Sequence, residues 1–68
     1  MHVIINGERR ALTAPMTLDA LLGELRVDAR LVVVEHNRHI VKRPDFSHTL
    51  IQPDDQLEIV RIVGGGCG

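Results

Sequence analysis

Leu18, Leu21, Leu22 and Leu25 stand at i, i+3, i+4 and i+7, the spacing of one apolar face on an α-helix. The other apolar residues gather in short β-branched runs, so this is the one helical pattern in a chain of strands. A single amphipathic helix among strands buries its leucines by lying across one face of a sheet. The helix is expected to run from Leu18 to about Arg26. Thr17 is its candidate N-cap, with a hydroxyl free to accept from an early backbone N–H. Asp19 in the first turn suits the helix dipole, and Met16 and Leu21 occupy the two positions of a hydrophobic staple. Gly23 weakens the interior by about 1 kcal/mol relative to alanine.

The strands are read from their composition and their punctuation. Val3-Ile4-Ile5 ends at Asn6-Gly7, a pair whose tolerance of positive φ makes it a strong hairpin signal, so a second strand is expected over Glu8 to Leu12. Thr13 to Thr17 breaks the pattern ahead of the helix. Leu31 to His36 reads as a mostly buried strand, and Asn37-Arg38 turns it into His39-Ile40-Val41-Lys42, which Pro44 stops. Phe46 to Ile51 is irregular, with Phe46 and Leu50 as core anchors. Gln52-Pro53-Asp54-Asp55 is a turn, and Leu57 to Val63 is the last strand. The expected class is α+β: a mixed sheet of four to five strands with one main helix across one face, the other face open to solvent or a partner. One domain over residues 1–63 is followed by a glycine-rich, flexible tail over 64–68.

Composition narrows the function. At 68 residues the chain is one small domain. Folds of this size bury only about 60% of the surface their unfolded chain exposes, which argues against a self-contained enzyme with a deep pocket. A net charge of −1 offers no basic excess for phosphates, and Phe46 is the lone aromatic residue, so no nucleic acid partner is expected. One cysteine, Cys67, forms no internal disulfide, which suits a reducing, cytoplasmic setting. The opening residues lack a signal-peptide pattern, and no apolar run approaches the length of a membrane span.

Few residues carry chemistry. Cys67 has no base beside it to lower its pKa, so a nucleophilic role is not expected. His36 and His39 flank a turn and can face each other, but zinc needs more ligands than this chain offers near them, and His2, His36, His39 and His48 are read as solvated or singly hydrogen-bonded. No metal and no bound cofactor are expected. Asp54-Asp55 reads as local backbone hydrogen bonding in a turn rather than as an acid–base pair. On the last strand, period-2 alternation puts Val60 and Ile62 on the face of Glu58, opposite the helix. Glu58, Val60 and Ile62 are therefore a candidate docking patch for partners, against the alternative of a face covered by the chain's own loops. Gly64-Gly65-Gly66 gives up stability to backbone entropy. Its functional reading is a thin thread entering a narrow channel in another protein, and its bland reading is a frayed terminus.

Taken together, Val3-Ile4-Ile5-Asn6-Gly7, Thr17-Leu18-Asp19-Ala20-Leu21-Leu22, Val33-Val34-Glu35-His36-Asn37, Ile40-Val41-Lys42-Arg43 and Asp54-Asp55-Gln56-Leu57-Glu58-Ile59-Val60, followed by Val63-Gly64-Gly65-Gly66, resemble the ThiS-like sulfur carriers of thiamin biosynthesis. The resemblance covers residues 1–66 and implies a ubiquitin-like β-grasp fold of the ThiS/MoaD superfamily. It implies that the protein is a co-substrate and not an enzyme. A ThiF-like adenylating enzyme of the ubiquitin-activating type would use ATP to activate the carboxylate of Gly66. Sulfur from a cysteine desulfurase would replace AMP, and the resulting thiocarboxylate would pass to a ThiG-like thiazole synthase. Gly64, Gly65 and Gly66 would thread into these partners. Cys67 and Gly68 depart from the pattern, because a peptide bond at Gly66 leaves no carboxylate to activate. The leading reading is a removable extension, trimmed by a metalloprotease as in some related carriers. Activation at Gly68 beside the Cys67 thiol, and residues added in cloning, are the other two. The rival functions are a sulfur carrier for molybdopterin, a siderophore or an amino acid, a β-grasp binding or regulatory module, and a ubiquitin-like tag conjugated to lysines.

Overall fold

A computed structural model describes residues 1–62 of the chain. It begins with a hairpin, β1 (His2–Ile5) and β2 (Glu8–Ala11), paired from His2 with Ala11 to Ile5 with Glu8. Asn6 and Gly7 turn it with φ of 51° and 82°. Two positive φ values in succession match the right-handed twist of the flanking strands, which is what the Asn-Gly pair supplies. The second hairpin, β4 (Val32–His36) and β5 (His39–Val41), follows the same rule with Asn37 and Arg38 at φ 50° and 73°.

Five strands form the main sheet, in the order β2-β1-β7-β4-β5, where β7 spans Gln56–Arg61. The central pair, β1 and β7, is parallel and all other neighbours are antiparallel, so the sheet is mixed. A second sheet of two short strands, β3 (Met16–Thr17) and β6 (Leu50–Ile51), lies outside the expected pattern. Two residues per strand leave no period to read. A 3₁₀ helix over Arg43–His48, with Pro44 in its first turn, follows β5 and takes in the start of the stretch from Phe46 to Ile51 that was expected to be irregular.

Helix α1 spans Leu18–Glu24. Leu18, Leu21 and Leu22 are buried and Leu25 packs against the same cluster, with Val3, Ile5, Val32, Val34, Phe46, Ile51 and Leu57 beneath. The N-terminus departs from expectation. Thr17 is the N-cap residue, but its hydroxyl donates to the Asp19 carboxylate instead of accepting from the helix. Its backbone is committed to β3, and the Leu18 N–H is taken by the Thr49 carbonyl at 2.8 Å, so the residue just before β6 does part of the capping. At the other end Arg26 adopts φ 59°; its N–H donates to the Gly23 carbonyl and that of Val27 to the Leu22 carbonyl. This pair of bonds is a Schellman motif, which ends the helix two residues before the expected boundary.

Leu50 is not a core anchor. It is 49% exposed, while its neighbour Ile51 is fully buried. The pairing of Thr17 with Leu50 and Met16 with Ile51 fixes this parity, because successive residues of a strand point to opposite faces.

Candidate functional site

The strand β7 carries the chain to the glycines, so the surroundings of its last residues define the site. Leu57 is buried under the helix and Ile59 is half-buried, whereas Val60 and Ile62 are 58% and 52% exposed. Glu58 is exposed as well. These three residues thus lie on the sheet face opposite α1, uncovered by any described loop. Val60 stands directly opposite Val33, and Ile40 on β5 is 68% exposed on the same face. Sequence reading missed Val33 and Ile40, although the period-2 argument used for Val60 applies to both.

Between these apolar residues sit two carboxylates. Glu35 pairs with Glu58 across β4 and β7, and like charges directly opposite are destabilising. Together with Ile4, Gly7, Arg38 and Gln56 they line a shallow depression. The face therefore presents an apolar strip around a spot where two carboxylates outnumber the Arg38 guanidinium, which complements a basic side chain flanked by apolar ones.

Asn6 fixes the path of β7 beyond the end of β1. The Ile59 N–H donates to Asn6 Oδ1 at 2.7 Å, and Asn6 Nδ2 donates to the Ile59 carbonyl at 3.2 Å. On its other edge β7 is held by β4 from His36–Leu57 through Val32–Arg61, and the Ile62 N–H donates to the Leu31 carbonyl at 2.7 Å. The strand is thus held up to the last described residue.

The turn that launches β7 is locked by Asp55, the one buried charged residue of the described chain. Its carboxylate accepts from His36 Nε2 at 2.6 Å, Asn37 Nδ2 at 3.1 Å and the Gln52 N–H at 2.8 Å. Burial alone would push this carboxyl up; the hydrogen bonds from His36, Gln52 and Asn37 outweigh it and hold it below the ordinary value. Asn37 Oδ1 in turn accepts from the Gln56 N–H. The local-turn reading of Asp55 holds for Gln52, but the ties to His36 and Asn37 join it to the β4–β5 hairpin. His39 faces His36 across that hairpin and bonds only the Asn37 carbonyl, through Nδ1. No group of three or more histidines, cysteines or carboxylates suited to a metal occurs among the described residues. No helix there is long and apolar enough to cross a membrane. Gly64, Gly65, Gly66, Cys67 and Gly68 lie outside the described residues.

A mixed five-stranded sheet with a parallel central pair, crossed by one helix, defines a ubiquitin-like β-grasp domain. The crystal structure of the thiamine biosynthesis protein ThiS from Geobacter metallireducens superposes with a TM-score of 0.86 at 29% identity, covering 97% of this chain and 100% of that one. The sequence pattern of the ThiS family matches residues 3–66, and the chain belongs to that family. The sulfur carrier protein ThiS of Bacillus subtilis is 32% identical over 50 residues, 74% of this chain and 76% of that protein. A thiazole synthase of Paramagnetospirillum magneticum is 48% identical over 66 residues, 97% of this chain. The chain spans only 20% of the length of that synthase.

Proposed function

We propose that the chain carries sulfur as a thiocarboxylate on Gly66 and delivers it to thiazole formation. The observation that supports this reading is the extent of the family match, which ends at Gly66, just beyond a strand held in place to Ile62. A carboxylate is a poor electrophile. Adenylation by a ThiF-like, ubiquitin-activating-type enzyme expels pyrophosphate from ATP and gives Gly66 a good leaving group. The persulfide sulfur of a cysteine desulfurase then bonds to the glycine carbon as AMP departs, and thiol reduction of the S–S bond leaves the thiocarboxylate. Sulfur stays tethered until a thiazole synthase takes it, and the carrier is recycled. ATP belongs to the partner, and nothing in this cycle calls for a cofactor bound to the carrier.

Gly66 is followed by Cys67, so the bond between them must break before Gly66 has a carboxylate. A metalloprotease that removes Cys67-Gly68 supplies that step. The Glu58, Val60 and Ile62 face, extended by Val33 and Ile40, is the surface on which the partners dock while the glycines enter their channels. The absence of any need for a disulfide fits a reducing cytoplasm.

Complementation tests the pathway. In a bacterium lacking its own thiamin sulfur carrier, a gene encoding residues 1–66 restores growth without thiamin. Failure to restore it, with restoration of a molybdopterin, siderophore or amino-acid auxotroph instead, reassigns the acceptor.

A further inference from the structure

On the helix side of the sheet, where β7 ends, lies a groove of about 260 Å³. Its floor is apolar, built from Ile5, Leu25, Val27, Val32 and Ile59, and Arg10 and Arg61 stand at it. Arg10 is opposite the buried Val3, and Arg61 is opposite the buried Val32, so both guanidiniums belong to the face of the helix and not to that of Val60 and Ile62. No aspartate or glutamate lines the groove, and neither arginine has an ion-pair partner among the described residues. That concentration of positive charge stands out in a chain whose net charge is −1.

Arginine presents a planar fork of donors matched to a carboxylate, and it is less strongly hydrated than lysine, which suits it to interfaces. An apolar floor excludes water and strengthens such a pair. We propose that this groove receives an acidic–apolar segment of the enzyme that takes the tail, with an apolar side chain on the floor and carboxylates paired to Arg10 and Arg61. The enzyme then grips β7 from both faces: basic and apolar groups meet Glu58 and Val60 on one side, and acidic groups meet the two arginines on the other. Opposite charge preferences on the two faces set the orientation in which the domain docks, because a reversed approach places like charges together.

The proposal rests on the sulfur-carrier reading, with thiazole synthase as the partner tested. Calorimetric titration of thiazole synthase with residues 1–66 provides the reference affinity. The double variant Arg10→Gln, Arg61→Gln binds about 10- to 100-fold more weakly, with a flatter dependence on salt, and the double lysine variant lies between. The double variant Lys42→Gln, Arg43→Gln, beyond the far edge strand β5, removes the same number of charges and binds like the reference. Arg10 and Arg61 are exposed, and amide NMR spectra establish that the variants stay folded. A reference chain that does not bind the synthase overturns the assignment to thiazole formation on which the groove proposal rests. A reference chain that binds, with the Arg10, Arg61 double glutamine variant as tight as the Lys42, Arg43 one, overturns the groove while leaving that reading intact.

Discussion

The side chain of Asn6 makes both of its hydrogen bonds to the backbone of Ile59, 53 positions away, and so stands in for the strand residue that β1 lacks there. The same residue supplies the positive φ of the first hairpin turn. One residue thus shapes the turn and holds the last strand of the sheet.

Replacing Asn6 with glycine keeps the turn and removes the side chain. Glycine adopts positive φ at no steric cost, so the turn survives, and the loss combines the two hydrogen bonds with glycine's larger entropy cost on folding. Stability falls by about 1–2 kcal/mol. Hydrogen exchange at the Ile59 amide speeds up, while the ladder between β4 and β7 keeps its protection. Unchanged exchange at Ile59 would show that the bonds contribute nothing to the strand.

Leu22 is 1% exposed in the middle of the core. Leu22→Ala costs about 2–5 kcal/mol, the transfer and cavity cost of truncating a fully buried leucine. Urea unfolding with an unchanged m-value checks it, and a loss below 1 kcal/mol would mean that the helix is not the lid of this core.

Acid weakens the turn before β7. Asp55 is held below its ordinary value in the folded chain, so its contribution is complete above the unfolded value of about 3.9 and is lost as pH falls through the folded value. Asp55→Ala leaves His36 Nε2, Asn37 Nδ2 and the Gln52 N–H without their acceptor and costs about 2–3 kcal/mol near neutral pH. The difference between wild type and variant shrinks as the pH drops below 4. A pH-independent difference would contradict the ionised, hydrogen-bonded carboxylate.

Val60→Asp separates docking from folding. The side chain faces water, so the charge leaves the unfolding midpoint nearly unchanged. It weakens binding to the adenylating enzyme, since an unpaired charge buried in an apolar contact is costly. An unfolded variant would assign Val60 to the core.

The elements that were legible in sequence are those with a period or a turn chemistry of their own. Four leucines at helical spacing gave α1, Asn6-Gly7 gave the first hairpin, and alternation from Leu57 to Ile62 placed Val60 and Ile62 on the open face. The features that escaped depend on contacts distant in sequence. Nothing near Thr17 signals that Thr49 and Leu50 return to it, and without that pairing the parity that exposes Leu50 and buries Ile51 is undetermined. Asp55 reaches His36 from 19 positions away, and the groove between Arg10 and Arg61 draws on both ends of the chain. The glycines themselves were conspicuous in sequence, and the family match extends through Gly66.

We propose that sulfur is carried on Gly66 once Cys67-Gly68 is gone. Intact mass spectrometry tests it most directly, on the chain ending at Gly66 and the chain ending at Gly68, each incubated with ATP, the adenylating enzyme and a sulfur source. One oxygen is exchanged for sulfur on the Gly66 chain and none on the longer one, whose terminus lies two residues past the position delivered to ATP. A thiocarboxylate at Gly68 of the longer chain, or no sulfur on either chain beside an enzyme active on another carrier, would contradict it.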